Sequence, residues 1–257
     1  MIADGYDAFL FDLDGVLYRG DQPIAGAAGV VAALRRAGKR LAFVTNNSAR
    51  TPKAIAAHLG SFGVHADTEE IETSALTTAA ALAERSVATA FVVGEEGLRS
   101  ALADAQIRSV DASHDPAAVV VGWDRAFTYA TLTDAAVAIQ RGATFYASND
   151  DPSYPAPNGV TWPGAGAIVA SISVATGCDP EVFGKPHPPI LRAALTRAGG
   201  GRALVVGDRI ETDIAGAAAV GSDSALVLTG IASRDDLDRS RFEATYVLGD
   251  LTDLLEG

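Results

Sequence analysis

The chain has 257 residues, 48% hydrophobic and 20% charged, the balance of a folded globular protein that can bury a full core as one or two domains. Its net charge of −12 argues against unspecific binding to nucleic acid or anionic membrane, and its single cysteine, Cys178, excludes an intramolecular disulfide. No window approaches ~18 uninterrupted apolar residues, and no basic-then-apolar leader opens the sequence, so a soluble cytoplasmic protein is expected.

Short β-branched runs alternate with alanine-rich helical stretches almost from end to end. AFLF (8–11) is followed by AGVVAALRRAG, RLAFVTN and TPKAIAAHLGSFG. TAFVVG, EEGLRSALADA, AAVVVG, TLTDAAVAIQRG and TFYASN come next. PPILRAALTRAG, ALVVGD, ETDIAGAAAVG, SALVLTG and TYVL close the series. Such alternation with short connections predicts crossover units around parallel sheet. Residues 148–166 carry four of the 11 prolines and read as a structured loop rather than a core element.

The first run reads as a buried strand that ends in Asp12 and Asp14, with Gly15 behind them. A carboxylate at the carboxyl end of a parallel strand can attack phosphorus and form an acyl phosphate. One two residues on can give a proton to the leaving oxygen and take one back from water. Gly15 lets backbone N–H groups approach a phosphoryl group closely. The plainer alternative is an acidic turn. A calcium loop of the EF-hand type fails, because the later ligand spacing is missing.

Three further segments have the same character. LAFVTNNS ends a strand in Thr45 and Asn46, hydroxyl and amide groups suited to phosphate oxygens. FGKPHPP sets Lys185 in a tight turn, where its ammonium can neutralise a phosphoryl group. LVVGDRIETDIAGA puts Asp208 at a strand end and Asp213 five residues on, in the first turn of a helix. Dipole complementation accounts for Asp213 and Glu211 individually. If the sheet sets both acidic strand ends side by side, their repulsion calls for a hard divalent cation, and all-oxygen ligation suits Mg²⁺.

In order these segments read strand-DxDG, strand-TNN, GKP and strand-GDxxxxD. That order resembles the haloacid dehalogenase (HAD) superfamily, from residue 7 to about residue 230. The resemblance implies an α/β fold, a Rossmann-like parallel-sheet core with an inserted α/β cap domain. Asp12 would then be the nucleophile and Asp14 the general acid and base, with Thr45 and Lys185 holding the phosphoryl group and Gly15 and Asn46 near it. Mg²⁺ would be bound by the Asp12 carboxylate, the Asp14 main-chain carbonyl and Asp208, and Asp213 would orient its water shell. Dehalogenases of the superfamily lack the second aspartate, so Asp14 points to phosphate chemistry.

About 140 residues separate Thr45 from Lys185, which places the cap there. The expected boundaries are 1–77 for the first part of the core, 78–180 for the cap and 181–257 for the rest. GVLYRGDQPIAGA, VVVGWDRAFTY, ASNDDPSYP and PGAGA look like the para-nitrophenylphosphatase (NagD-like) group, whose caps close over small phosphorylated metabolites. Asn149 and Asp151 match that group's cap loop and are candidate contacts to the leaving group, with a structural turn as the alternative; Ser148 replaces the loop's usual threonine. Ala126 stands where relatives that bind pyridoxal phosphate have histidine, which disfavours that substrate. Sugar phosphates, glycerol phosphate and nucleoside monophosphates remain open, as does a homodimer through the cap. Trp123 and Trp162 read as cap packing, although Trp162 could reach a substrate. A phosphomutase is disfavoured, since mutases of the superfamily usually carry the cap before the second motif. A catalytically idle binding protein on the same fold is the other alternative.

Overall fold

A computed structural model describes residues 1–155 and 160–256, and the chain divides into two compact units. The first comprises Met1–Thr45, Pro52–Glu72 and Lys185–Gly257; the second comprises Asn46–Thr51 and Thr73–Gly184. The chain opens with β1 (Ala8–Phe11), a hairpin of β2 (Tyr18–Arg19) and β3 (Gln22–Pro23), α1 (Ala27–Arg36), β4 (Arg40–Thr45), α2 (Pro52–Ser61) and β5 (Ile71–Thr73). It continues through α3 (Ser74–Glu84), β6 (Thr89–Val93), α4 (Glu96–Asp104), β7 (Arg108–Ser109), β8 (Ala118–Val121), α5 (Tyr129–Gln140) and β9 (Thr144–Ala147). A ribbon of β10 (Ser153–Pro155) and β11 (Thr161–Pro163), α6 (Ala165–Thr176) and β12 (Glu181–Val182) follow. The last stretch supplies α7 (Pro188–Arg197), β13 (Ala203–Gly207), α8 (Ala215–Val220), β14 (Asp223–Val227), α9 (Arg234–Arg239) and β15 (Tyr246–Leu248).

In the first unit a six-stranded sheet has the order β15-β14-β13-β1-β4-β5, and β1 pairs in parallel with both β13 and β4. A central parallel strand is covered on both faces, which is why AFLF is apolar without alternation. Phe9 and Phe11 join one core with Phe43, Leu34 and Leu59. Ala8 and Leu10 point the other way, into a core with Val44, Ile190, Leu191 and Ala217.

The second unit has its own five-stranded sheet, β12-β9-β8-β6-β7, parallel in each pair. It too buries two faces: Val92, Val120 and Leu98 on one, Val119, Val121 and Ile139 on the other. The proline-rich stretch expected as a loop forms the antiparallel β10–β11 ribbon and runs into α6; positions 156–159 lie outside the described residues. Trp123 packs as expected, stacked on Tyr154 with centroids 4.4 Å apart and donating from Nε1 to the Pro163 carbonyl at 3.0 Å. Trp162 is exposed on the ribbon.

Candidate active site

The first sheet reverses its strand order between β1 and β13, with β4 and β5 added on one side and β14 and β15 on the other. Open parallel sheets bind ligands beyond the carboxyl ends of the strands at this point. Asp12 follows β1 and Asp208 follows β13. The Asp12 N–H still donates to the Val206 carbonyl at 2.8 Å, so both carboxylates leave the sheet at nearly the same level.

Asp213 arrives from a wide turn, Ile210–Ile214, wound with i→i+5 spacing ahead of α8. The expected first helical turn is therefore a π turn. Within it the Asp213 carboxylate reaches back to its own start, where Oδ2 accepts from the Arg209 N–H at 3.1 Å. Its approach to the strand requires glycine at 207: a Cβ there would stand 2.2 Å from Asp213 Cβ and Cγ.

Lys185 joins the group across the sheet. Its Nζ donates to Asp12 Oδ1 and to Asp213 Oδ1, each at 2.6 Å, and to the Val44 carbonyl at 3.4 Å. All four side chains are largely buried, Lys185 at 3%, Asp208 at 2% and Asp213 at 1% exposure. Burial, and then the charges of Asp213 and Asp208, push the Asp12 carboxyl well above its usual value against the pull of Lys185. Burial and Asp213 push Asp208 up to about 6. The Lys185 ammonium loses hydration through burial, but Asp12 and Asp213 outweigh that loss and hold its pKa above the ordinary value.

Asp208 lies between two backbones. A Cβ at Gly15 would come 2.2 Å from its Oδ2, and one at Gly230 would come 2.0 Å from it. Gly15 has φ +82°, open to glycine at little cost. The Ile231 N–H donates to Asp208 Oδ2 at 2.9 Å. Sequence reasoning does not anticipate this loop after β14; a Thr-Gly pair directly after a strand, in SALVLTG, is its only local signal.

Asp14 is half-buried and bridges to Tyr18 at the start of the hairpin. It stands outside the three-carboxylate group, so a metal role for it would fall to its main-chain carbonyl. Thr45 ends β4 next to β1 and is 7% exposed. The remaining expected residues gather in the second unit. Asn46 Nδ2 donates to Asp151 Oδ1 at 3.0 Å, and the Asn46 carbonyl accepts from Asn149 Nδ2 at 2.8 Å and Ser74 Oγ at 2.6 Å.

The oxygens of Asp12, Asp208 and Asp213 lie within 4.8 Å of one another, the one such grouping of potential metal ligands among the described residues. Three carboxylates face a single ammonium, an excess of negative charge that a divalent cation removes. The donors are all oxygen, as Mg²⁺ prefers. The residues present fit that ion.

A parallel sheet with helices on both faces, acidic strand ends at its switch point and a buried lysine are the layout of an α/β enzyme of phosphoryl transfer. Comparison places it further. A haloacid dehalogenase-like hydrolase model matches residues 9–108, and a HAD-hydrolase-like model matches 182–254. An acid sugar phosphatase of Staphylococcus saprophyticus is 37% identical over 255 residues, covering 98% of this chain and 97% of that protein. A D-glycerol 3-phosphate phosphatase of Mycobacterium tuberculosis is 42% identical over 91% of this chain, which spans only 66% of that longer relative. The crystal structure of the M. tuberculosis glycerol phosphate phosphatase with magnesium superposes with a TM-score of 0.93 at 40% identity, over 98% of this chain and 77% of that one. A p-nitrophenyl phosphatase from Archaeoglobus fulgidus gives 0.91 at 35%, over 98% of both chains. The chain belongs to the haloacid dehalogenase-like hydrolases.

Proposed function

We propose that Asp12 is the nucleophile, and Asp14 the general acid and base, of phosphomonoester hydrolysis. The chain is a Mg²⁺-dependent phosphatase of small phosphorylated metabolites. One observation carries the residue assignment: the buried Lys185 ammonium bonded to both Asp12 and Asp213 at the switch point. A cation fixed there can hold a transferring phosphoryl group beside the attacking carboxylate.

The Asp12 carboxylate attacks phosphorus, and the bond to the ester oxygen breaks as Asp14 passes its proton to that oxygen. Asp14 then takes a proton from the water that attacks the aspartyl phosphate, freeing inorganic phosphate and restoring Asp12. Lys185 and the Thr45 hydroxyl hold the non-bridging oxygens through both steps, whereas the Gly15 N–H, expected near the phosphoryl group, is taken by the Tyr18 carbonyl at 2.7 Å. Asp12, Asp208 and the Asp14 carbonyl would hold Mg²⁺, with Asp213 orienting its water. When bound, the ion supplies charge neutralisation for the carboxylates and the phosphoryl oxygens.

The named activities of the relatives support a polyol or sugar monophosphate as substrate. We assign the second unit as the substrate-selecting cap, with Asn149 and Asp151 as its candidate contacts, and propose a homodimer formed through it. The lone exposed cysteine accords with a cytoplasmic location. The test is phosphate release from a panel of glycerol, sugar and nucleoside monophosphates, with Mg²⁺ or EDTA. Mg²⁺-dependent turnover favouring the first two classes is expected; a nucleotide preference overturns the substrate reading.

A further inference from the structure

The carboxylate of Asp208 is aimed by a clasp that no catalytic step uses. Its Oδ2 is wedged between the Gly15 and Gly230 backbones and takes the Ile231 N–H, which fixes the carboxylate that groups with those of Asp12 and Asp213. That wedge holds only while the loop after β14 stays closed on the loop after β1. Two side chains close it. The Thr229 hydroxyl donates to the Gly15 carbonyl at 2.7 Å, joining the two loops directly. Arg19, on β2, donates from Nη2 to the Thr229 carbonyl and to the Gly230 carbonyl at 3.2 Å. The hairpin that carries Arg19 is fixed in turn: Gly15 N–H donates to the Tyr18 carbonyl at 2.7 Å, and the Tyr18 ring packs on His58 and Phe62.

We propose that Arg19 and Thr229 are positioning residues that set the Mg²⁺ affinity of the site by holding Asp208 in its ligating orientation. The inference rests on Asp208 being a metal ligand. Neither side chain touches the carboxylates, so each acts through the backbone that grips Asp208. Outer contacts of this kind typically change metal affinity by ~10-fold or more when removed.

The experiment is calorimetric titration of the full chain with Mg²⁺, without substrate, for the parent, Thr229→Val, Thr229→Ser, Arg19→Met and Asp208→Asn. Thr229→Val and Arg19→Met should weaken Mg²⁺ binding by about 10-fold, and Thr229→Ser, which keeps the hydroxyl, should bind like the parent. A role in folding alone would lower the melting temperature in EDTA and leave the dissociation constant unmoved, which overturns the proposal. Serine binding as weakly as valine overturns it too. If valine at 229 prevents folding, Arg19→Met carries the same comparison. Asp208→Asn separates the two levels: parent-like Mg²⁺ binding there removes the ligand reading itself.

Discussion

At the scale of single residues, the cluster is a balance of like charges around one ammonium. Asp12→Asn replaces the proposed attacking oxygen by an amide that cannot form an acyl phosphate, so phosphate release should fall by at least ~10⁴-fold. The same change removes one of three mutually repelling carboxylates. In EDTA the variant should therefore melt at a higher temperature than the parent; a lower one would show that the repulsion is already relieved in the free protein. Lys185→Met goes the other way. It leaves Asp12 and Asp213 buried without their shared cation, and breaking such an arrangement costs about 3–5 kcal/mol. Denaturant unfolding in EDTA measures it, and a loss under about 1 kcal/mol would mean that water already solvates the pair.

At the scale of elements, legibility follows from where the information sits. β1 and β13 can be read because a parallel strand covered on both faces has to be apolar throughout, and each run is broken by a charged residue where the strand ends. The acidic ends at Asp12 and Asp208 are therefore local signals. β5 is not local. Ile71-Glu72-Thr73 carries a charge that reads as surface, yet Glu72 is 2% exposed, because Arg197 of α7 ion-pairs with it and also donates to the Glu69 carbonyl at 3.1 Å. α3 escapes for another reason: SALTTAAALAE has too little contrast between its faces to show a period. The clasp of Arg19 and Thr229 is likewise invisible, since its partners lie 210 residues apart. Edge pairing at β5 should thus depend in part on a distant side chain. Arg197→Met strips Glu72 of that guanidinium and should destabilise the first unit by about 3 kcal/mol. Hydrogen exchange should show the loss first at residues 71–73; uniform loosening of the sheet would contradict an edge role.

At the scale of the whole molecule, the buried carboxylates tie folding to pH and to metal. A carboxyl whose folded pKa is raised keeps its proton in the folded state after the unfolded chain has released it. Stability is then lost as pH rises from the unfolded value through the folded one. Asp208, moved from 3.8 to about 6, costs about 3 kcal/mol once fully ionised, and Asp12, also raised, adds a loss of the same sign. Opposing groups act lower down: Glu70, Glu95 and Glu181 lie below their ordinary value of 4.5, so their stabilisation is nearly complete by about pH 5.5. Lys185, raised from 10.5, keeps its charge in both states throughout this range. From pH 5.5 to 7.5 Asp208 sets a falling slope, and the unfolding free energy in EDTA should fall by about 1 kcal/mol. If Mg²⁺ takes the proposed ligands, it binds them in their ionised form in the folded state, so it should stabilise the protein more at pH 7.5 than at 5.5 and flatten that decline. Urea unfolding at both pH values, with EDTA and with Mg²⁺, measures all four corners. Equal Mg²⁺ stabilisation at the two pH values would mean that protons and metal do not compete for these carboxylates, and that the repulsion among them is not what the cation relieves.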